Sequence, residues 1–205
     1  MSNDNIPKKL KVAVAGCGGI GSHLSAMLFD FGVNRNQFPF TDYTFDVYDD
    51  DTVDFKNLLH QNFTESDIGD LKVNSIADRY ALTPQPRFMK VEDFPKYDVI
   101  LCGVDSMTFR KSLYEWSWAN PTSKTFWIDG RCTSRQGCVF NKTNSKTELE
   151  QMLSDSQERT GCLLAFEKEQ NTAHALPIVV AAMMMQTFLN YLRGDKPLAS
   201  KNFMV

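Results

Sequence analysis

The first part of the chain changes from a strand-like to a helix-like pattern of apolar positions. An apolar run at residues 12–15 is followed by a turn that is rich in glycine. Apolar residues then recur at the i, i+3, i+4, i+7 spacing of a buried helix face. These helix positions are Leu24, Met27, Leu28 and Phe31. The pattern predicts a strand at 11–15, a tight turn and a helix at 22–31.

Strand and helix patterns continue to alternate downstream. Residues 43–48 are rich in β-branched and aromatic side chains, and residues 97–104 form a near-continuous apolar run, typical of a strand buried on both faces. Residues 52–70 have no clean period and predict a loop with short helical turns. Further strands are predicted at 87–91, 125–129 and 136–141, and helices at 71–80, 106–119, 146–155 and 176–192. We therefore expect an α/β fold: a doubly wound, Rossmann-like, mainly parallel sheet with helices on both faces.

The length and net charge of the chain limit the number of domains and the classes of partner that we expect. The 205 residues suit one domain, so we expect a flexible N-terminus at 1–9 and a single domain at 10–205. The net charge of −3 favours neither nucleic acid nor an anionic membrane as a partner. The N-terminus has no apolar signal core, and the longest apolar run, 175–185, is too short to span a bilayer. These features predict a cytoplasmic protein.

The glycine-rich turn matches a phosphate-binding pattern. Gly16, Gly18 and Gly21 fit G-x-G-x-x-G between a strand and a helix, with Gly19 inside the same turn. Glycine permits the tight turn, a close approach of the backbone to phosphate, and close packing of helix on strand. The first amides of the helix favour an anion. A nucleotide site and a close-packed strand–helix corner without a ligand are the two interpretations.

Acidic residues follow two other predicted strands. Asp49 begins a run of three aspartates after the second strand, where an acid holds ribose hydroxyls in dinucleotide folds. A solvated strand end is the alternative interpretation. Asp105 follows the run at 97–104. Ligands of open α/β sheets bind at the carboxyl ends of the strands, so we expect Gly16, Asp49 and Asp105 to share one cleft.

Further short motifs identify a family by resemblance. After the glycine turn, the chain carries D-x-D-x-V from Asp49, N-L-x-x-Q from Asn57 and D-I-G-x-x-K ending at Lys72. It continues with CGVDSMTFR at 102–110, WIDGR at 127–131 and a C-terminal helix preceded by Cys162. In this order the motifs resemble the ThiF, MoeB and HesA adenylyltransferases of the ubiquitin-activating-enzyme-like superfamily. The compact chain, with GCLLAFEKEQN before the last helix, is most similar to the short ThiF-like proteins of plasmids and phages.

The resemblance implies a reaction and its participants. ATP would bind in the glycine cleft with Mg²⁺. The C-terminal glycine carboxylate of a ubiquitin-like or sulfur-carrier protein would attack the α-phosphate, giving an acyl-adenylate and pyrophosphate. A homodimer is also implied, with the apolar C-terminal helix or exposed aromatic residues as its interface.

The resemblance also implies roles for individual residues. Asp49 would hold ribose, Lys72 would contact phosphate, and Asp105 would hold Mg²⁺, a hard cation that prefers carboxylate oxygen. The nucleotide-binding residues would be Gly16, Gly18, Gly19, Gly21, Asp49, Asp51, Asn57, Gln61 and Lys72. The catalytic residues would be Lys72, Asp105, Arg110 and Cys162. Two alternatives remain open: Lys72 as a solvated helix start, and Asp105 as the N-cap of the helix at 106–119.

Three departures from the family pattern affect these roles. His60 stands where the family has arginine, and histidine is mostly neutral at pH 7. Ser106 replaces asparagine, and the N-terminus carries no basic helix. Neutralisation of phosphate then falls to Arg110, Arg131 or a partner. Cys162 is the candidate acceptor thiol, with a small buried apolar side chain as its alternative interpretation.

Three functions therefore remain. The leading hypothesis is an ATP-dependent adenylyltransferase acting on a protein carboxylate. A catalytically degenerate nucleotide-binding partner is the second, favoured by His60. An NAD-dependent oxidoreductase is the third, although Asp49 follows the glycines later than the interval of about 20 residues in that class.

Overall fold

A computed structural model describes most of the chain as an α/β fold. It describes residues 8–33, 38, 40–133, 136–154, 175–197 and 201–204, the last range as backbone only. The strands in these ranges are β1 (Lys9–Ala15), β2 (Asp42–Tyr48), β3 (Thr83–Gln85), β4 (Val99–Cys102), β5 (Phe126–Cys132), β6 (Gln136–Asn141) and β7 (Lys201–Met204). The α-helices are α1 (Gly19–Val33), α2 (Lys72–Tyr80), α3 (Met107–Ala119), α4 (Lys146–Ser154) and α5 (Leu176–Arg193).

The strands form one mixed sheet in the order β3-β2-β1-β4-β5-β6-β7. In this order, β3, β2, β1, β4 and β5 are all parallel to one another. β6 pairs antiparallel with β5, and β7 pairs antiparallel with β6. In the register, Ala15 of β1 lies beside Tyr48 of β2 and Cys102 of β4. The loops that follow β1, β2 and β4 therefore meet at one edge of the sheet, as the sequence predicts.

Helices cover both faces of the sheet, which explains the near-continuous apolar strands. Along β1, Val14 packs on one face in a cluster with α1, α2 and α5. Its neighbour Ala15 packs on the other face with residues of α3 and α4. Both faces are thus buried, as is usual for parallel sheets. The predicted doubly wound architecture is confirmed.

The C-terminal helix α5 belongs to the core. Met184 is fully buried, and a Cβ added to Gly130 of β5 would overlap its sulfur. Met185 is buried as well, and Met183 packs partly buried against the same cluster. Ile178 and Val179, near the start of α5, are exposed apolar residues. None of the described helices combines the length and apolar character that crossing a bilayer requires.

The structure corrects several predicted boundaries. β1 begins at Lys9, two residues early, and α1 begins at Gly19, because the last part of the glycine turn is already its first helical turn. The strand predicted at 87–91 is wrong. The third strand is β3 at Thr83–Gln85 instead. A 3-10 helix, Val91–Lys96, follows, and at its start the Asp93 carboxylate accepts the Lys90 amide. The prediction of a loop with short helical turns at 52–70 is confirmed, since this range contains the 3-10 helices Phe55–Leu59 and Glu65–Asp67.

Candidate functional site

A cavity of about 760 Å³ opens at the carboxyl ends of β1, β2 and β4. Its walls are the turn after β1, the acidic run after β2, the 3-10 helix Phe55–Leu59, the start of α2 and the loop after β4. This volume lies in the range of sites for small molecules and cofactors.

Most residues predicted for the site line this cavity together. They are Gly16, Gly18, Gly19, Asp49, Asp51, Asn57, Gln61, Lys72 and Asp105. Gly21 and Arg110 lie behind its wall, and Cys162 lies outside the described residues. His60 lines the cavity as well.

The turn after β1 requires glycine for two different reasons. Gly16 has a φ of +89°, which side chains rarely adopt, and its amide donates to the Tyr48 carbonyl at 2.8 Å. At Gly21, an added Cβ would overlap the carbonyl of Gly16, so α1 packs directly on the turn. A Cβ at Gly18 would meet no atom within 4 Å, because this part of the turn borders open space. The first amides of α1 thus lie beside the cavity, where they can bind an anion.

Asp49 joins this turn to the end of β2. Its Oδ2 accepts the Cys17 amide at 2.6 Å, and its Oδ1 accepts the Asp51 amide at 2.9 Å. Burial raises the pKa of Asp49, while these two hydrogen bonds and the charge of Lys72 act against that rise. Each oxygen of an ionised carboxylate has a further acceptor position. The side chain can therefore hold the turn and still accept from a ligand hydroxyl.

Lys72 supplies a buried cation at the cavity. Its side chain is only 7% exposed, and its Nζ lies 2.7 Å from Oδ2 of Asp51, which is 66% exposed. The backbone strengthens this pairing, because the Lys72 amide donates to the Asp51 carbonyl at 2.9 Å. The prediction that Lys72 begins a helix is confirmed, and the alternative of a solvated lysine is wrong.

The segment before α2 adds polar side chains to the wall. Asn57 is buried, and its Oδ1 accepts the Asp54 amide at 2.8 Å in a capping box of the 3-10 helix. Gln61 Nε2 lies 3.4 Å from His60 Nε2. A Cβ at Gly19 would lie 3.6 Å from the His60 ring, so the imidazole stands at the start of α1. It occupies the place where an anion bound to α1 would need a cation.

Asp105 presents its carboxylate to the cavity from the loop after β4. It is exposed, and among the described residues it makes no hydrogen bond or ion pair. The N-cap of α3 is Ser106 instead, whose Oγ accepts the Phe109 amide at 3.3 Å. The N-cap interpretation of Asp105 is therefore wrong. An uncommitted carboxylate at this cavity suits a hard divalent cation.

Arg110 lies in a buried cluster behind this loop. Its guanidinium pairs with Asp129 of β5 and donates to the carbonyl oxygens of Val104 and Gly130. Asp129 also accepts from the Tyr114 hydroxyl. Burial alone would raise the pKa of Asp129, but the charges of Arg110 and Arg131 and the Tyr114 hydrogen bond hold it below its usual value.

Both arginines that the sequence offered for phosphate thus contact Asp129. Arg131 Nε lies 3.4 Å from Asp129 Oδ2, and its side chain is largely buried. Neither arginine is part of the cavity wall. Since Val104 directly precedes Asp105, Arg110 anchors the loop that carries the free carboxylate.

The described cysteines are poorly suited to nucleophilic chemistry. Cys17, Cys102 and Cys132 are buried, and Cys138 is half-buried. Burial is the main cause that raises the pKa of the Cys17 and Cys102 thiols. The predicted role of Cys162 remains a prediction.

One end of the cavity was missed by the sequence analysis. It is lined by the apolar residues Phe88, Met89 and Phe109, and by the hydroxyl-bearing Thr108 and Ser112 of α3. Phe88 is a large exposed aromatic residue, 66% exposed. The pattern at 87–91 predicts a strand, whereas residues 87–90 lie in a loop at the edge of the sheet. The sequence pattern carries no separate signal for this position, because it does not predict β3 at Thr83–Gln85.

Solved structures of known proteins share this fold. A structure of E. coli MccB with ATP matches 99% of this chain at a TM-score of 0.69 and 18% identity, and the match covers 62% of the MccB chain. PaaA matches 99% of this chain at a TM-score of 0.69 and 14% identity, over 62% of its own length. A structure of E. coli MccB with MccA-N7isoASN matches 99% of this chain at a TM-score of 0.68 and 17% identity, and the match covers 63% of the MccB chain. This chain thus spans less than two thirds of the length of these proteins.

Sequence comparison gives a clear family assignment. No curated protein matches the chain at a significant level. The model of the ThiF family, in contrast, matches residues 5–205, nearly the whole sequence. The chain therefore belongs to the ThiF family.

Proposed function

We propose that this protein binds ATP in the cavity and uses it to adenylate the C-terminal carboxylate of a peptide or protein. The observation that carries the proposal is the buried cation of Lys72, which lines the same cavity as the glycine turn and the acids Asp49 and Asp105. Membership of the ThiF family supports it. So does the likeness in fold to E. coli MccB, of which structures with ATP and with MccA exist.

The walls of the cavity suggest how the nucleotide lies. The triphosphate would bind at the amides of the glycine turn and at the start of α1, within reach of Lys72. Asp49 would accept from the ribose hydroxyls through its remaining acceptor positions. The base would then lie at the apolar end, between Phe88 and the start of α3. Asp51, Asn57 and Gln61 would border the phosphates.

Asp105 would hold Mg²⁺ beside these phosphates. Its exposed carboxylate has no partner among the described residues, and a hard oxygen donor suits this ion. When bound, Mg²⁺ supplies charge that neutralises the phosphates. Arg110 acts as a positioning residue for Asp105, because it holds the carbonyl of the preceding Val104.

The reaction is an in-line displacement at phosphorus. A carboxylate oxygen of the substrate attacks the α-phosphorus of ATP, and a new oxygen–phosphorus bond forms. The bond from the α-phosphorus to the bridging oxygen breaks, and pyrophosphate leaves with the electron pair. The products are the acyl-adenylate and pyrophosphate. Lys72 and the turn amides hold the reacting groups in line and neutralise charge, which is most of what such a transfer requires.

The substrate of this reaction is a second part of the proposal. We expect a C-terminal carboxylate, either of a ubiquitin-like or sulfur-carrier protein ending in glycine or of a short peptide. The peptide alternative is supported by the structures of E. coli MccB with MccA, which share this fold. A homodimer and a cytoplasmic location also remain predictions.

His60 favours a second candidate function. It lines the cavity at the start of α1, where the family pattern has arginine. A neutral imidazole leaves more of the phosphate charge to other groups. The chain would then be a nucleotide-binding partner subunit without adenylation activity.

Ligand-dependent melting tests nucleotide binding. A bound ligand stabilises the native state by mass action, so ATP with Mg²⁺ should raise the melting temperature more than NAD at the same concentration. Equal or greater stabilisation by NAD would contradict the proposal and support an oxidoreductase.

Exchange of pyrophosphate into ATP separates the enzyme from the binding partner. We expect exchange that depends on a candidate protein or peptide with a free C-terminal carboxylate. Asp105→Ala should abolish it, whereas Asp78→Ala, at an exposed acid on α2 outside the cavity wall, should not. Binding of ATP without any exchange, over a panel of such substrates, would favour the binding partner.

A further inference from the structure

A cluster of ion pairs stands behind the apolar end of the cavity. Arg87 donates from Nη1 to Asp93 Oδ2 at 2.7 Å and from Nη2 to Asp93 Oδ1 at 3.0 Å. Asp93 is buried, and it also accepts from Lys96 Nζ at 2.7 Å. The paired contacts fix the plane of the guanidinium, which a single contact cannot do.

Arg87 contacts the cavity wall on two sides. Its guanidinium carbon lies 4.9 Å from the centre of the Tyr48 ring, and its Nη1 donates to the Phe88 carbonyl at 3.1 Å. Tyr48 and Phe88 both line the cavity. Tyr48 directly precedes Asp49, the proposed ribose acid. Arg87 thus connects the ribose position with the aromatic ring at the apolar end.

Tyr48 is fixed independently of Arg87, but Phe88 is not. The Tyr48 hydroxyl lies 2.7 Å from the Tyr97 hydroxyl, which donates to Asp46 Oδ2 at 2.6 Å. The Phe88 side chain is mostly exposed. The position of Phe88 therefore depends on its loop, and Arg87 ties that loop to Tyr48 and Asp93.

We propose that Arg87 is a positioning residue for the nucleotide base: its pair with Asp93 and its stacking on Tyr48 hold Phe88 where the ring covers the base. The proposal rests on the function proposed above, since it requires a nucleotide in this cavity. A base offers a flat π-face to an aromatic ring, and such stacking does not require a particular hydrogen-bond pattern. The Phe88 ring therefore contributes to affinity for the nucleoside and not for the phosphates.

Calorimetric titration with two ligands tests this assignment. The ligands are ATP and inorganic tripolyphosphate, each with Mg²⁺. Arg87→Ala should weaken ATP binding about tenfold, the equivalent of roughly 1.4 kcal/mol, and tripolyphosphate binding less than about twofold. Lys96→Ala is the matched control, because Lys96 shares Asp93 but has no described contact with Tyr48 or Phe88. It should change neither affinity.

A double-mutant cycle tests whether Arg87 acts through Phe88. Phe88→Ala alone should also weaken ATP binding, and adding Arg87→Ala to it should cost less than about twofold more, because coupled residues are not additive. Arg87→Lys keeps the charge but loses the bidentate pair, so its ATP affinity should fall between those of wild type and Arg87→Ala. This variant keeps the test available if Arg87→Ala does not fold.

The outcomes separate this inference from the proposed function. If the wild type binds ATP no more tightly than tripolyphosphate, or binds neither ligand, both the inference and the proposed function are wrong. Wild type that binds ATP, with Arg87→Ala and Arg87→Lys weakening both ligands equally, would overturn the inference alone. Additive effects of Arg87→Ala and Phe88→Ala would do the same.

Discussion

The pair Lys72–Asp51 at the cavity and the pair Arg110–Asp129 behind its wall differ in their contact with water. Lys72 and Asp51 face the cavity, and Asp51 is mostly exposed. Arg110 and Asp129 lie behind the wall, and both are buried. Each pair joins one side-chain cation to an aspartate. Their surroundings determine which one can respond to a ligand.

The difference follows from the cost of losing a partner. When a phosphate takes Lys72, Asp51 can turn to water, so the exchange costs little. If Arg110 lost Asp129, a buried charge would remain without compensation, which is strongly unfavourable. The pair Lys72–Asp51, the open pair, is therefore suited to ligand binding. The pair Arg110–Asp129, the closed pair, is suited to stabilising the fold.

Removal of the buried carboxylate should have the largest effect. We expect Asp129→Asn to lower the free energy of unfolding by about 3–5 kcal/mol, because Arg110 keeps a buried charge without a counter-charge. Asp51→Asn should lower it by less, because Lys72 is buried as well but still interacts with the charge of Asp49. Urea denaturation of the two variants and the wild type measures both values. Similar losses for the two variants would refute the proposed difference between the pairs.

Removal of Lys72 should weaken ligand binding, because its ammonium group lies at the cavity. Lys72→Ala should weaken ATP binding by about 30-fold, or about 2 kcal/mol, the size of one charge-assisted hydrogen bond. Lys56→Ala is the matched control, because Lys56 also lines the cavity but is exposed and pairs with Asp54 at the surface. We expect it to weaken binding by less than about threefold. Titration calorimetry gives both affinities, and equal effects of the two lysines would contradict a special role for Lys72.

The buried pair should also appear in the pH dependence of stability. The folded pKa of Asp129 lies below the ordinary value of 3.8, so the unfolded chain binds more protons between these two values. Its stabilisation is thus complete above pH 3.8 and is lost as the pH falls towards the folded pKa.

Denaturation between about pH 2.5 and 5 in one stabilising osmolyte measures this contribution, because this window includes the pH range in which it is lost. The slope of the unfolding free energy against pH should be shallower in Asp129→Asn by at most about 1.4 kcal/mol per pH unit. Identical slopes in wild type and Asp129→Asn would exclude this contribution from Asp129.

The sequence predicts the open pair far better than the closed one. The glycine turn, Asp49 and Lys72 stand in short motifs at the ends of predicted strands, and the topology of a parallel sheet brings such ends together. The partner of Arg110 is 19 positions away on another element, and the local pattern carries no information on that contact.

The base end of the cavity shows the same limit. Residues 87–91 have the apolar character of a strand, but Asp93 binds Arg87 and the Lys90 amide and starts a 3-10 helix there. A competing side-chain contact thus overrides the local preference. The position of Phe88 on the cavity wall follows from that contact and not from its own propensity.

Substitutions of His60 should have the smallest effect, and they test whether an anion at the start of α1 lacks a neighbouring cation. Arginine carries a permanent charge, so His60→Arg should strengthen ATP binding at pH 8 by about threefold, while His60→Gln, a neutral side chain, should match the wild type there. Titration calorimetry of the wild type and the two variants at pH 8 gives the three affinities. If His60→Arg binds ATP no better than His60→Gln at pH 8, the start of α1 does not face the phosphates, and the nucleotide must lie in the cavity in another orientation.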